Sequence, residues 1–203
     1  MPEREPSAAA AVAIGVSSGG VRALKLLLGA LPADFPLPLL VVQHISPDAG
    51  NGMAKLLDGH CDIRVKEADE QEEILPATVY LAPPNYHLLV ERDRRIGLSA
   101  DPPVSFARPS VDVLFESAAE VFGAGLIGIV LTGANWDGAE GARAIKKRGG
   151  RVVVQDPNDA ETPQMPAAAL AAVKADHVLP LAAMPALLQR LAAEAAARER
   201  ADG

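Results

Sequence analysis

Aromatic residues are scarce in this chain of 203 residues: four phenylalanines, two tyrosines and one tryptophan, 3% of the total. With hydrophobic content at 49%, the core is expected to be built from Ala, Val, Leu and Ile. Cysteine is nearly absent. The one present, Cys61, excludes an internal disulfide and a cysteine-based zinc cluster, and reads as a small core side chain. Positive charge is in deficit, and a net charge of −7 argues against non-specific binding to nucleic acid or to an anionic membrane. No apolar run reaches the roughly 18 residues a membrane helix needs, and no basic start followed by an apolar segment opens the chain. A cytoplasmic protein with no membrane insertion is the expectation.

The chain is organised around Val12-Ala13-Ile14-Gly15-Val16-Ser17-Ser18-Gly19-Gly20. An apolar run ends at Gly15, two hydroxyl residues and two glycines follow, and a helical pattern begins at Val21. Gly15 to Gly19 fits G-x-S-x-G, in which small flanking residues let a strand turn sharply into a helix and present a serine at the sheet edge. The helix would aim free backbone N–H groups at that corner. Two other readings stand beside this one. Ser17 can serve only as a helix N-cap. The glycines can cradle a phosphate, although the dinucleotide fingerprint wants G-x-G-x-x-G and an acidic residue about 20 positions on, where this chain has Gln43-His44.

Residues 1–10 read as a tail or linker remnant and 11–200 as one domain, for a chain of this length supports one full core. Buried strands are expected near 9–16, 39–43, 126–131 and 151–154, with an edge strand at 177–179. Helices are expected near 20–31, 52–58, from Ser110 as N-cap, 139–148, 165–173 and 184–200. Ser46-Pro47-Asp48 reads as a turn or helix start. The middle differs in character: short strands near 63–66, 78–82, 87–91 and 95–99, the last two joined by Arg92-Asp93-Arg94. The fold class is α/β: a doubly wound, mainly parallel sheet with helices on both faces and an inserted antiparallel hairpin.

Ligands of such sheets bind beyond the carboxyl ends of the strands. Ser17, His44 and the loop Thr132–Gly138 each follow a buried strand. A serine nucleophile needs a base within reach and a carboxylate to orient that base. Of the four histidines, His60 reads as a solvated loop residue, and His87 and His177 start strands of the hairpin and the edge. Only His44 ends a buried strand beside the first. Asp137 is the candidate acid, its other reading being a cap on the helix that follows. Asp112 is the alternative acid, in the first turn of its own helix, where a carboxylate serves the helix dipole. The order Ser17, His44, Asp137 differs from the α/β-hydrolase order.

Five motifs now in view resemble a known family: Ile14-Gly15-Val16-Ser17-Ser18-Gly19-Gly20, Val42-Gln43-His44, Arg108-Pro109-Ser110-Val111-Asp112-Val113-Leu114, Leu131-Thr132-Gly133-Ala134-Asn135-Trp136-Asp137-Gly138 and Met165-Pro166. Together they look like the catalytic domain of the chemotaxis protein-glutamate methylesterase, CheB, over about Ala11 to Leu181. The resemblance implies hydrolysis of glutamyl methyl esters on methyl-accepting chemotaxis receptors, with methanol released, and deamidation of certain receptor glutamines. It assigns Ser17 as nucleophile, His44 as base and Asp137 as orienting acid. Backbone N–H groups at Ser18 and Ala134 would hold the oxyanion, with no metal and no cofactor. The chain departs from the family pattern at Ser18, where threonine is usual, and at Ala134-Asn135, where Met-Gly is usual.

The family usually carries a receiver domain ahead of this one, and here only about ten residues precede the first strand. A stand-alone esterase or a fragment is therefore expected, regulated if at all by a separate protein. The expected partner is the cytoplasmic helices of a methyl-accepting receptor, or another methylated protein. Two further functions compete: a non-catalytic binding module that docks on receptor or signalling proteins, and a nucleotide-binding domain.

Overall fold

The computed structural model describes residues 10–44 and 52–202. Nearly all of the expected N-terminal tail, and the expected turn at Ser46-Pro47-Asp48, lie outside the described residues.

Seven parallel strands form the main sheet: β1 (Ala11–Val16), β2 (Leu39–Gln43), β3 (Arg64–Glu67), β4 (Thr78–Leu81), β7 (Leu126–Val130), β8 (Arg151–Gln155) and β9 (His177–Leu179). Their spatial order is β3-β4-β2-β1-β7-β8-β9. β5 (His87–Val90) and β6 (Ile96–Ser99) make a separate antiparallel hairpin, as expected. The short strands at 64–67 and 78–81 belong to the main sheet rather than to a middle unit of different character. β4 pairs in parallel with β2, and β3 with β4. Their brevity hid this, since a four-residue strand carries little periodicity of its own.

Among the described residues, six α-helices cover the sheet: α1 (Gly20–Leu28), α2 (Gly52–Asp58), α3 (Val111–Phe122), α4 (Ala139–Lys147), α5 (Gln164–Ala172) and α6 (Met184–Asp202). Alternation along β1 divides the core. Val12, Ile14 and Val16 face one apolar layer with Leu24, Leu27 and Leu28 of α1 and Leu188 and Leu191 of α6. Ala11 and Ala13 face the other, with Val111, Leu114 and Phe115 of α3 and Ile145 of α4. Burial on both faces is why β1, β2 and β7 read as unbroken apolar runs.

β1 is the central strand, flanked by β2 and β7 in continuous register. From β1 the chain passes to β2, then to the edge strand β3 and back to β4 between the two, before it crosses to β7, β8 and β9 on the other side of β1. Strand order reverses beside β1, and the crevice at such a reversal is where open α/β sheets hold ligands.

Phe115 is fully buried and tops the layer between β1, α3 and α4. Phe115→Ala should lower unfolding free energy by ~3–5 kcal/mol through lost burial and the cavity left behind. Chemical denaturation of the purified variant checks this, and a loss below about 1 kcal/mol would contradict the packing described.

Candidate active site

The carboxyl ends of β1, β2 and β7 bring Ser17, His44 and the loop from Thr132 to Gly138 together. Backbone bonds lock the three ends to one another: Ser17 N–H donates to Thr132 O at 2.9 Å, and His44 N–H to Val16 O at 3.0 Å. The Gln43 side chain adds a clamp. Its Nε2 donates to the carbonyls of both Ser17 and His44, each at 2.9 Å, so one amide fixes the turn after β1 against the end of β2. Gln155, at the end of β8, does the same for the third loop. Its Oε1 accepts from Thr132 N and its Nε2 donates to Asp159 Oδ2, both at 2.9 Å.

Gly133 is required by close approach. A Cβ there would lie within 2.8 Å of Ser17 Cβ and would overlap the sulfur of Met165, so the loop can lie against the serine only without a side chain. Gly138, with φ of 100°, supplies the left-handed turn from Asp137 into α4.

Asp137 is 1% exposed and its carboxylate is saturated with donors. Oδ2 receives His44 Nε2 at 2.7 Å and Val111 N at 2.7 Å. Oδ1 receives Ser110 Oγ at 2.8 Å and Asp112 N at 3.0 Å. Asp137 therefore caps α3, the helix before it, and not α4, the helix that follows. Ser110 stands at the N-cap position of α3 with no side-chain cap bond of its own, its hydroxyl being turned to Asp137. Asp112 completes an exchange: its Oδ1 accepts from Gly138 N at 2.9 Å and Gly141 N at 2.8 Å, capping α4 instead of serving its own helix. Each of two helix N-termini holds the carboxylate that belongs to the other.

The ring of His44 is set by its partners. An ionised carboxylate only accepts, so His44 Nε2 carries the proton and Nδ1 keeps the lone pair. Asn135 Nδ2 approaches that lone pair at 3.3 Å, while Asn135 Oδ1 accepts from Asp137 N at 3.2 Å. Ser17, His44, Asn135, Asn85, Arg108 and Phe106 line one cavity of about 320 Å³. A larger cavity of about 500 Å³ lies away from the strand ends, between the α1–β2 loop and α6, and offers neither serine nor histidine. Among the described residues, neither Ser18 N nor Ala134 N donates a hydrogen bond, and both residues are exposed.

The remaining histidines are elsewhere or otherwise employed. His60 is exposed and His177 partly buried on the edge strand. His87, read as a plain strand residue, is buried beneath the site: its Nδ1 accepts from Ser110 N at 3.2 Å and its Nε2 donates to Pro102 O at 3.2 Å. His87 thus props the residue that props Asp137. Gln43, His87 and Asn135 were missed as site residues. The signal for Gln43 was present, as a polar side chain closing an apolar strand. Asn135 showed only as a departure from the family pattern, and His87 gave none. Among the described residues, no group of three or more His, Cys, Asp or Glu side chains is placed to hold a metal ion.

Burial and the neighbouring charge of Asp137 push the Asp112 carboxyl up to about 7, against the pull of the Gly141 and Gly138 N–H groups. Burial also pushes on Asp137, but hydrogen bonds from His44 and from the backbone of Asp112 and Val111 prevail and hold it below its ordinary range. The two act in different pH windows. A carboxyl raised on folding takes up a proton, so stability present at low pH is lost as pH climbs from ~4 toward the raised value. A lowered carboxyl loses its contribution only as pH falls below ~4. Between about pH 5 and 8 the Asp112 effect is therefore separate from that of Asp137. Asp112→Asn, which keeps an acceptor for the α4 cap, should flatten the decline in denaturation midpoint across that window and gain on the order of 1–3 kcal/mol over the parent at pH 8 relative to pH 5. Identical slopes for parent and variant would show that Asp112 is ionised throughout.

The CheB methylesterase family model matches residues 12–188. A putative protein-glutamate methylesterase/protein-glutamine glutaminase of Leptospira interrogans is 49% identical over 181 residues, covering 89% of this chain and 94% of the relative. The protein-glutamate methylesterase FrzG of Myxococcus xanthus is 41% identical over 179 residues, 88% of this chain and 54% of the relative. The crystal structure of the Thermotoga maritima CheB methylesterase catalytic domain superposes with a TM-score of 0.86 at 35% identity, covering 91% of this chain and 99% of that one. The chain belongs to the CheB methylesterase family.

Proposed function

We propose that this chain is a protein-glutamate methylesterase in which Ser17 is the nucleophile, His44 the base and Asp137 the acid that orients it. The observation that carries the reading is the imidazole of His44, bonded through Nε2 to a buried carboxylate and lining, together with Ser17 and the Asn135 that meets its Nδ1, one cavity. A docking module has no use for such an arrangement, and the non-catalytic alternative is not favoured. The dinucleotide alternative finds no acidic residue at the end of β2, which closes on Gln43.

In the reaction, Ser17 Oγ attacks the carbonyl carbon of a glutamyl methyl ester and its proton passes to His44 Nδ1. Backbone N–H groups at Ser18 and Ala134 receive the oxyanion, and one such donor is typically worth about 10²- to 10³-fold. The intermediate collapses as His44 returns the proton to the methoxy oxygen, so methanol leaves and a glutamyl-serine ester remains. Water attacks that ester and gives its proton to His44, which passes it to Ser17 Oγ as the Oγ–acyl bond breaks and glutamate is freed. Asp137 stays ionised and stabilises the transient imidazolium. With a glutamine side chain the same steps release ammonia, in line with the glutaminase in the relatives' names. Asn135 Nδ2 must leave His44 Nδ1 as the serine engages it. We place the reaction in the cytoplasm, on the methylated cytoplasmic helices of a chemotaxis receptor. Among the described residues, no helix is long and apolar enough to cross a membrane.

Methanol release from methylated receptor fragments tests the reading. Ser17→Ala should remain folded and lose about 10⁶ in turnover, the loss seen for the serine in the subtilisin series. More than a tenth of the activity retained would remove Ser17 from the role of nucleophile.

Asp137→Asn should cost about 10⁴, because an amide favours the wrong imidazole tautomer. Asp112→Asn should be far milder. The reverse ranking would transfer the role of acid to Asp112.

A further inference from the structure

Seven aromatic side chains serve the whole chain, and three of them, Tyr86, Phe106 and Trp136, are exposed. Phe106 is 92% exposed and Trp136, the sole tryptophan, 58%. Their rings meet edge to face, centroids 6.5 Å apart at 86°. This pair stands at the mouth of the catalytic cavity: Phe106 lines it beside Ser17 and His44, and Trp136 lies between Asn135, which lines it, and Asp137. Tyr86 follows Asn85, another lining residue.

The presentation is rigid and costly. Ser105 and Phe106 have φ of 49° and 63°, a left-handed conformation that bulky side chains avoid. Val104 and Ala107 close the turn with two backbone bonds of 3.1 and 2.9 Å. Arg108 then ties its base down, donating to Asn85 Oδ1 and to the carbonyls of Ala100 and Asp101. On the other side, Trp136 O accepts from Ala139 N at 3.2 Å, within a loop pinned by the Asn135–Asp137 bond. A strained backbone that holds a large apolar ring in water is unfavourable twice over, and such features persist where function requires them. Pre-organised aromatic anchors are what protein recognition surfaces use, since little freedom is lost when they are covered.

We propose that Trp136 and Phe106 form an aromatic platform that receives the polypeptide flanking the esterified glutamate, through apolar side chains of that segment. The proposal rests on the methylesterase reading. An ester-bearing side chain alone enters the cavity. The chain that carries it has to lie across the mouth, where the exposed Phe106 ring lines the cavity and the exposed Trp136 ring meets it.

The probe is an in vitro methylated chemoreceptor cytoplasmic fragment without tryptophan, set against a small ester, N-acetylglutamate γ-methyl ester. Trp136→Ala and Phe106→Ala should each lower the ratio of kcat/KM on the fragment to kcat/KM on the small ester at least tenfold, mainly through KM. In Ser17→Ala protein, the emission of Trp136 should shift to the blue as the fragment is added. Hydrolysis of the fragment by the parent protein with ratio and emission unmoved would overturn the platform and leave the esterase standing. Hydrolysis of the small ester but never of the fragment would do the same. An emission shift that tracks the protein's own concentration, with dimers in sedimentation, would make a second copy the occupant and also overturn it. No turnover of either ester would remove the methylesterase reading, and the platform with it.

Discussion

The Asp137 carboxylate depends on a helix that it does not precede. A buried carboxylate is costly unless its oxygens are fully engaged, and Asp137 meets that demand with the N-terminus of α3: two backbone N–H groups and the Ser110 hydroxyl. Only then is a fourth bond, from His44, made to an acceptor that cannot rotate away. Asp112 returns the favour to α4, closing the turn that carries Asp137. Neither carboxylate could be moved without uncapping the other's helix. The pair therefore fixes the angle between α3 and α4 and the position of the loop between β7 and α4 together.

That exchange also explains why the two acids differ. Both are buried and close together, and like charges in such a place do not ionise equally. Asp137 has four hydrogen-bond donors, one of them an imidazole, while Asp112 has two backbone N–H groups. Ionisation falls to the better-solvated oxygen pair, and Asp112 carries the burden of the neighbouring charge. The carboxylate bonded to His44 is kept ionised by this asymmetry, while the second carboxyl, raised to about 7, holds its proton at lower pH.

Much of this was legible in the sequence, and the limit falls at a definite place. Apolar runs ending at Gly15, Gln43 and Leu131 announced buried strands, and the rule for ligand sites in open sheets then brought Ser17, His44 and Asp137 to one edge. Strand burial and turn chemistry are local, so a sequence displays them. Which helix a carboxylate caps is not local. Both aspartates sit beside the first turn of an α-helix, and the near helix is the natural reading of each. The structure assigns each to the far one, since α3 and α4 pack with their N-termini adjacent. His87 was illegible for the same reason: its partners, Ser110 and Pro102, meet it only after the hairpin folds over α3. Strands β3 and β4 were seen as strands but misplaced, because strands of four residues show their pairing only in three dimensions.

The loop from Thr132 to Gly138 concentrates these demands in seven residues. Thr132 is bonded to Ser18 O and Gln155, Gly133 must be bare to let Ser17 approach, and Asn135 bridges His44 and Asp137. Gly138 turns the chain into α4. Two positions escape these internal duties, Ala134 and Trp136, and both are exposed. A loop so constrained can vary only where its side chains point outward. On the proposed reading, chemistry is held on the inward positions by the strands and helix caps, and recognition is left to the outward ones. The same bonding serves both, for a ring carried on a backbone tied at several points has less freedom to lose when it meets a partner.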